Sequence, residues 1–230
     1  FYYTLARDIG DLEDGQSPEY AYDRTRERAV WTDIPTHRVS WNMIYELPIG
    51  RNRKWMSNAG RLVDGVLGGW QIGAIYNFDT GNFLTPQWTG PDPTGTRYTA
   101  SRTPANVTIR PDRLRDGNLP NPTKTRWFDV SAFAAPQPGR FGTSAKGVIK
   151  GPHSKVLHST LSKNFLFRER FRFRVEAVAT NLTNTPNYQD PNTNITSAAT
   201  VGVLTAVHNR NTKMDMAIPR VVQFILRMQF

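Results

Sequence analysis

The C-terminal stretch Arg220-Val-Val-Gln-Phe-Ile-Leu-Arg-Met-Gln-Phe230 alternates with a period of two. Val222, Phe224, Leu226, Met228 and Phe230 fall on one face, and Val221, Gln223, Ile225, Arg227 and Gln229 on the other. A strand throws successive side chains to opposite faces, so one face is apolar and the other largely polar. The length matches the roughly 9–11 residues that a tilted strand needs to cross a bilayer. The stretch ends on an aromatic residue, whereas a soluble domain usually frays into polar residues at its terminus. The same pattern also fits the last strand of a soluble sandwich, so this strand alone leaves two architectures open.

Other stretches repeat the alternation. In Val39–Leu47 the residues Val39, Trp41, Met43, Tyr45 and Leu47 share a face, and in Trp70–Phe78 so do Trp70, Ile72, Ala74, Tyr76 and Phe78. Phe171–Asn181 sets Phe171, Phe173, Val175, Ala177 and Ala179 against Arg172, Arg174, Glu176, Val178 and Thr180. Three charged side chains in succession on one face suit a wet lumen far better than a packed sandwich core, where buried charge is costly unless paired. A one-sided sheet with a solvated outer face accommodates them too. Leu157–Phe165 is a weaker strand, and Phe1–Ala6 completes about six spanning segments.

The connections alternate in length: long over Arg7–Arg38, shorter over Pro48–Gly69, long over Gly81–Ser154, short over Phe167–Arg170 and long over Leu182–Pro219. Up-and-down topology with two unequal rims produces this pattern. Gly81–Ser154 is rich in proline and reads as irregular, a length of loop that argues against a compact soluble domain. Carboxylates at Asp8, Asp11, Glu13 and Asp14 suggest either a solvated loop or a calcium site, without the spacing of an EF-hand loop. In Asn58–Gly69 the period changes. Ala59, Leu62, Val63, Val66 and Leu67 form a helical stripe, with Asn58 expected as its cap, Gly68-Gly69 as its end, and Arg61 and Asp64 turned to water. A short helix lying in a membrane interface on the short-loop rim is expected here. The aromatics Tyr45, Trp55, Trp70, Phe165, Phe167, Phe171 and Phe230 would then gather at that rim as a girdle.

Composition removes several alternatives. Mean hydropathy is −0.52, and no apolar run approaches the roughly 18 residues of a membrane helix, which excludes helical spans but not a barrel. Cysteine is absent, so there are neither disulfides nor thiolate metal sites. A net charge of +10 raises nucleic acid as a partner. No helix-turn-helix, zinc module or RNA-binding signature accompanies it, and basic loops facing lipid phosphates or lining a lumen account for the charge. His37, His153, His158 and His208 stand far apart, Gly142–Gly147 is followed by Val148 where a phosphate loop needs its lysine, and no nucleophile elbow occurs. No catalytic residue, metal set or cofactor is expected.

Tyr45-Glu-Leu-Pro-Ile-Gly-Arg51, Leu67-Gly-Gly-Trp-Gln71, Trp127-Phe-Asp-Val-Ser-Ala-Phe133, Gly139-Arg-Phe-Gly-Thr-Ser144, Gly151-Pro152, Leu161-Ser-Lys-Asn-Phe165 and Glu176-Ala-Val-Ala-Thr-Asn-Leu-Thr-Asn184 follow one another along the chain. With these motifs the chain resembles the C-terminal part of a TonB-dependent outer-membrane receptor of the Oar-like group, whose members carry a carboxypeptidase-regulatory-like domain before the plug. The resemblance implies a barrel of about 22 strands, energised import of a ligand, and a Gram-negative cell envelope. It implies that the plug, and any contact with the TonB complex, lie in sequence preceding Phe1. The terminal strand resembles the signal read by the barrel-assembly machinery, which marks Phe224, Leu226, Met228 and Phe230.

The expected fold is therefore all-β. Residues 1–230 would be the C-terminal part of an antiparallel up-and-down transmembrane β-barrel with long external loops and one interfacial helix. Because about six strands are too few to close a barrel, the segment expressed alone should aggregate. Arg172, Arg174, Glu176, Gln223, Arg227 and Gln229 are the lumen-facing candidates. Phe83, Trp88, Tyr98, Trp127 and Phe128 are candidates for ligand contact in the loops. Outer-membrane lipid and an imported ligand are the expected partners. The competing reading is a soluble or surface-exposed β-sheet module for binding or adhesion through Trp-rich loops.

Overall fold

The computed structural model of the chain describes residues 1–11, 18–20, 22–32, 34–95, 109–167, 171–209 and 219–229. Six strands form one antiparallel sheet: β1 (Tyr2–Leu5), β2 (His37–Glu46), β3 (Trp70–Asp79), β4 (Ser154–Phe167), β5 (Phe171–Thr180) and β6 (Val221–Gln229). Each pairs with the next in chain order, so the topology is a meander with β1 and β6 at the sheet edges. The alternation in the sequence found every one of these strands, with ends displaced by at most three residues.

The register runs unbroken across the sheet and keeps the two kinds of side chain apart. Tyr45, Ile72, Leu161, Ala177 and Phe224 form one row of partners from β2 to β6. The adjacent row, on the opposite face, is Glu46, Gln71, Ser162, Glu176 and Ile225. A slip of one residue in any strand would exchange its faces, so the coincidence of five strands fixes the register. On the apolar face Phe224 is 81% exposed and Leu226 63% exposed. Large hydrophobic side chains left bare in a row are the mark of a surface that meets something other than water.

Every long connection (6–36, 80–153 and 181–220) joins strand ends at one rim, and the short ones lie at the other. The helix α1 (Arg61–Leu67) sits at the short-loop rim, opposite 80–153. The Trp70 indole N–H donates to the Val66 carbonyl at 3.0 Å, and Lys163 Nζ to the Asp64 carbonyl at 3.3 Å. Both side chains belong to the apolar face, so α1 lies against the outside of the sheet. Leu62, Val63, Val66 and Leu67 are exposed along it, and Tyr45, Trp55, Trp70 and Phe165 gather at the same rim. Two expectations fail in detail. The helix starts at Arg61 with Gly60, not Asn58, as its N-cap and without a side-chain cap. Asp64 is half-buried rather than turned to water, because its carboxylate accepts the Arg51 backbone N–H at 2.6 Å.

The largest correction concerns Gly81–Ser154. Far from being irregular throughout, its described residues pack with parts of 181–220 into a unit on the long-loop rim. Phe128, Ala132, Phe133 and Ile149 are buried together, with Leu84, Trp127, Val130, Val148, Ile195 and Val201 around them. Three two-stranded ladders brace it: Phe83–Leu84 with Ile149–Lys150, Asp112–Arg113 with Phe133–Ala134, and the hairpin Asn118–Thr123 with Arg126–Phe128. The main buried apolar cluster therefore lies in the loops, and the sheet beneath contributes little beyond Val156. The loop after β1 also carries a 3-10 turn over Arg24–Glu27, capped by Asp23.

Candidate functional site

The polar face of β5 and β6 brings the sequence-derived charges together. By register Arg172 faces Gln229, Arg174 faces Arg227, Glu176 faces Ile225 and Gln223 faces Val178. All of Arg172, Arg174, Glu176, Gln223, Arg227 and Gln229 thus lie on the face opposite Phe224 and Leu226. Two arginines directly across from each other repel unless an anion lies between them. Glu176 supplies it. The Arg174 guanidinium forms an ion pair with one carboxylate oxygen, and Arg227 Nη2 stands 3.7 Å from the other. The Glu176 side chain is only 7% exposed, while those of Arg174 and Arg227 are 40% and 67% exposed. One carboxylate is shared by two cations, so the cluster is net positive and its outer nitrogens remain open. These residues line a concavity of about 500 Å³ together with Asn42, Gln71, His158 and Thr160.

The loop unit stands over the end of this wall, held by buried charge. Arg110 is 1% exposed, as are Glu19 and Glu27. Its guanidinium donates to Glu27 at 2.9 Å and 3.1 Å and to Glu19 at 2.7 Å, while its backbone N–H donates to Glu19 at 2.8 Å. Lys146 adds a contact to Glu27 at 3.3 Å, and Arg26 one to Glu19 at 3.1 Å. Burial alone would raise the Glu27 carboxyl, but the Arg110 hydrogen bonds and charge outweigh it and hold it below the ordinary value. The network ties the loop after β1 to the loop between β3 and β4. It was not legible in the sequence, since Glu19 and Arg110 stand 91 positions apart. Of the acidic residues weighed for calcium, Asp11 pairs with Arg24 at 2.7 Å; Glu13 and Asp14 lie outside the described residues.

The aromatic loop candidates do not form one surface. Phe128 is 1% exposed and meets Phe133 edge-on at 6.1 Å in the loop core, which turns it away from any solute. Trp127 packs against that core, its indole N–H donating to the Lys150 carbonyl at 2.7 Å. Trp88 is half-buried and donates to the Pro91 carbonyl at 3.1 Å. Phe83 lies in its ladder opposite Lys150, and Tyr98 falls outside the described residues. Aromatic doublets among polar residues look alike in sequence whether they nucleate a small core or await a ligand. Of the residues expected to signal assembly, Phe224, Leu226 and Met228 are exposed on the apolar face; Phe230 lies outside the described residues.

No curated protein and no solved structure matches the chain. Residues 1–223 match the family described as an outer membrane beta barrel domain, and the chain belongs to that family of the bacterial outer membrane.

Proposed function

We propose that this chain forms part of the wall and external cap of an energised, TonB-dependent importer, in which the loops receive a ligand and the lumen wall passes it inward. The observation that carries this reading is the Arg174–Glu176–Arg227 cluster, with Arg172 beside it, on the face opposite the exposed apolar belt. A merely structural wall gains nothing from opposed arginines sharing one carboxylate. A transport path lined with open guanidinium nitrogens offers charge-assisted hydrogen bonds to an anionic or hydroxyl-rich solute. Such contacts are strong enough to select and exposed enough to release. The unpaired backbone of β1 and β6 would cost several kcal/mol per group in lipid, so further strands complete the wall. β6 is the strand we expect the barrel-assembly machinery to read.

The test uses cells carrying the full-length receptor. Solutes that they deplete from a mixed medium are identified by comparison with cells lacking it. Depletion should stop on adding a protonophore, and should fall in Arg174→Gln/Arg227→Gln while the heat-modifiable migration of the barrel stays unchanged. Depletion that survives the protonophore would refute energised import. Depletion unchanged in the double variant would remove the wall from the mechanism.

A further inference from the structure

Where the apolar face meets the loop unit there is a cleft of about 710 Å³ that neither the polar wall nor the loop core uses. Its lining includes Arg7, His37, Phe78, Phe83, Lys150 and His153. The register decides which way it opens. Phe78 lies opposite Val39 in β2, and His37 is on the same face of that strand. The intervening Arg38 and its partner Asp79 point the other way, joined at 2.9 Å. The cleft therefore faces the same side as Phe224, at the level where the bare apolar belt gives way to polar loops.

Its chemistry is that of a site for an anion with an apolar stem. Among the described residues no carboxylate lines it. Arg7 and Lys150 are exposed, and neither makes an ion pair among the described residues. Lys155, exposed and opposite Phe78 in the register, adds a third positive charge on this face. The His37 ring is held by the Tyr3 hydroxyl at 2.8 Å and stacked on its ring, and His153 leans on Phe78 at 6.0 Å. At the floor, Gly81 approaches the Gly151 backbone so closely that a Cβ there would come within 1.9 Å of its carbonyl oxygen.

We propose that this cleft holds the phosphate-bearing headgroup of an outer-leaflet lipid, with Arg7 and Lys150 on the phosphate and Phe78 and Phe83 against the first methylenes. Its position on the lipid side of the wall, at headgroup level, favours a lipid over a free anion, and the site is independent of what the lumen carries.

The test is binding of bis-phosphorylated lipid A, of the same lipid dephosphorylated, and of inorganic phosphate to the full-length receptor in mild detergent, read by native mass spectrometry. The phosphorylated lipid should remain bound. Arg7→Gln/Lys150→Gln should weaken it about 30-fold, and Lys150→Gln alone about fivefold. Heat-modifiable migration reports that each variant is folded. Equal retention of the dephosphorylated lipid, or wild-type affinity in either variant, would overturn the proposal. Displacement by an equimolar amount of inorganic phosphate would make the cleft a free-anion site and overturn it as well.

Discussion

Replacing Phe224 by arginine probes the assignment of the two faces most directly. Phe224 lies one residue from the centre of β6, which at about 3.4 Å per residue and a tilt of about 45° is roughly 2–3 Å from the middle of the apolar belt. Its side chain is 81% exposed, so the substitution removes little protein packing and reports what surrounds the wall. An arginine near the bilayer midplane of a barrel costs about 2–4 kcal/mol. Phe173, near the start of β5 and paired with Met228, stands roughly 6 Å from the middle and should cost less, near the lower end of that range. Gln223→Arg, on the other face, should cost about 0–1 kcal/mol. The measurement is the urea dependence of the heat-modifiable fraction for the full-length protein in lipid vesicles. A nitroxide placed at 224 and then at 223 should be quenched by lipid-phase and aqueous reagents, respectively. Equal costs for Phe224→Arg and Gln223→Arg, or lipid-phase access at 223, would refute the assignment.

Arg110→Met leaves Glu19 and Glu27 buried without their shared cation, and should cost the loop unit about 3–5 kcal/mol. Protease should then nick the loops while the barrel stays heat-modifiable; an unchanged digestion pattern would show the lock to be dispensable. Asp129 is held at about 2 by the Ser131 hydroxyl and then by Arg115. Its folded value lies below the ordinary carboxylate value of about 3.9, so its contribution is complete above about pH 4 and is lost as pH falls through about 2. Asp129→Asn should remove that part of the acid transition of Trp127 fluorescence, and an identical acid profile would count against it. Gly142→Ala would bring a Cβ within 2.1 Å of the Arg110 carbonyl oxygen, so it should loosen the loops as Arg110→Met does. Gly139→Ala meets nothing nearby, and only its φ of 86° is strained, at about 1–2 kcal/mol. Equal protease sensitivity of the two alanine variants would contradict this.

The strands were legible because each carries its own evidence. Phe171 to Thr180 and Val221 to Gln229 alternate strongly enough to fix both faces before any partner is known. β4 was harder, since Lys155 and Lys163 interrupt its apolar face. The structure accounts for Lys163, whose Nζ lies 5.0 Å from the Phe165 ring and 5.7 Å from that of Trp70. The helical period of α1 was visible, but its start was not, because Gly60 provides no side-chain signal and Asn58 resembles a cap. The loop unit escaped altogether. Its core draws Leu84, Phe128, Ile149 and Ile195 from separate segments with no shared period, and its charge lock joins residues of remote sequence position. Of the candidate site, the shared face of Arg174, Glu176 and Arg227 follows from the alternation, whereas the cleft at Arg7, His37 and Lys150 exists only through the register.

The attachment of α1 to the wall governs how the molecule sits in bilayers of different thickness. Two backbone carbonyls of the helix are held by side chains of β3 and β4, so helix and wall rise and fall as one body. The helix cannot leave the inner headgroup layer without drawing Leu62 and Val66 into water or Arg61 into hydrocarbon. Hydrophobic mismatch is therefore not shared evenly between the leaflets: the inner boundary is fixed by the helix, and thinning or thickening is taken up at the opposite rim. The loops that meet the outside world ride at a height set from beneath.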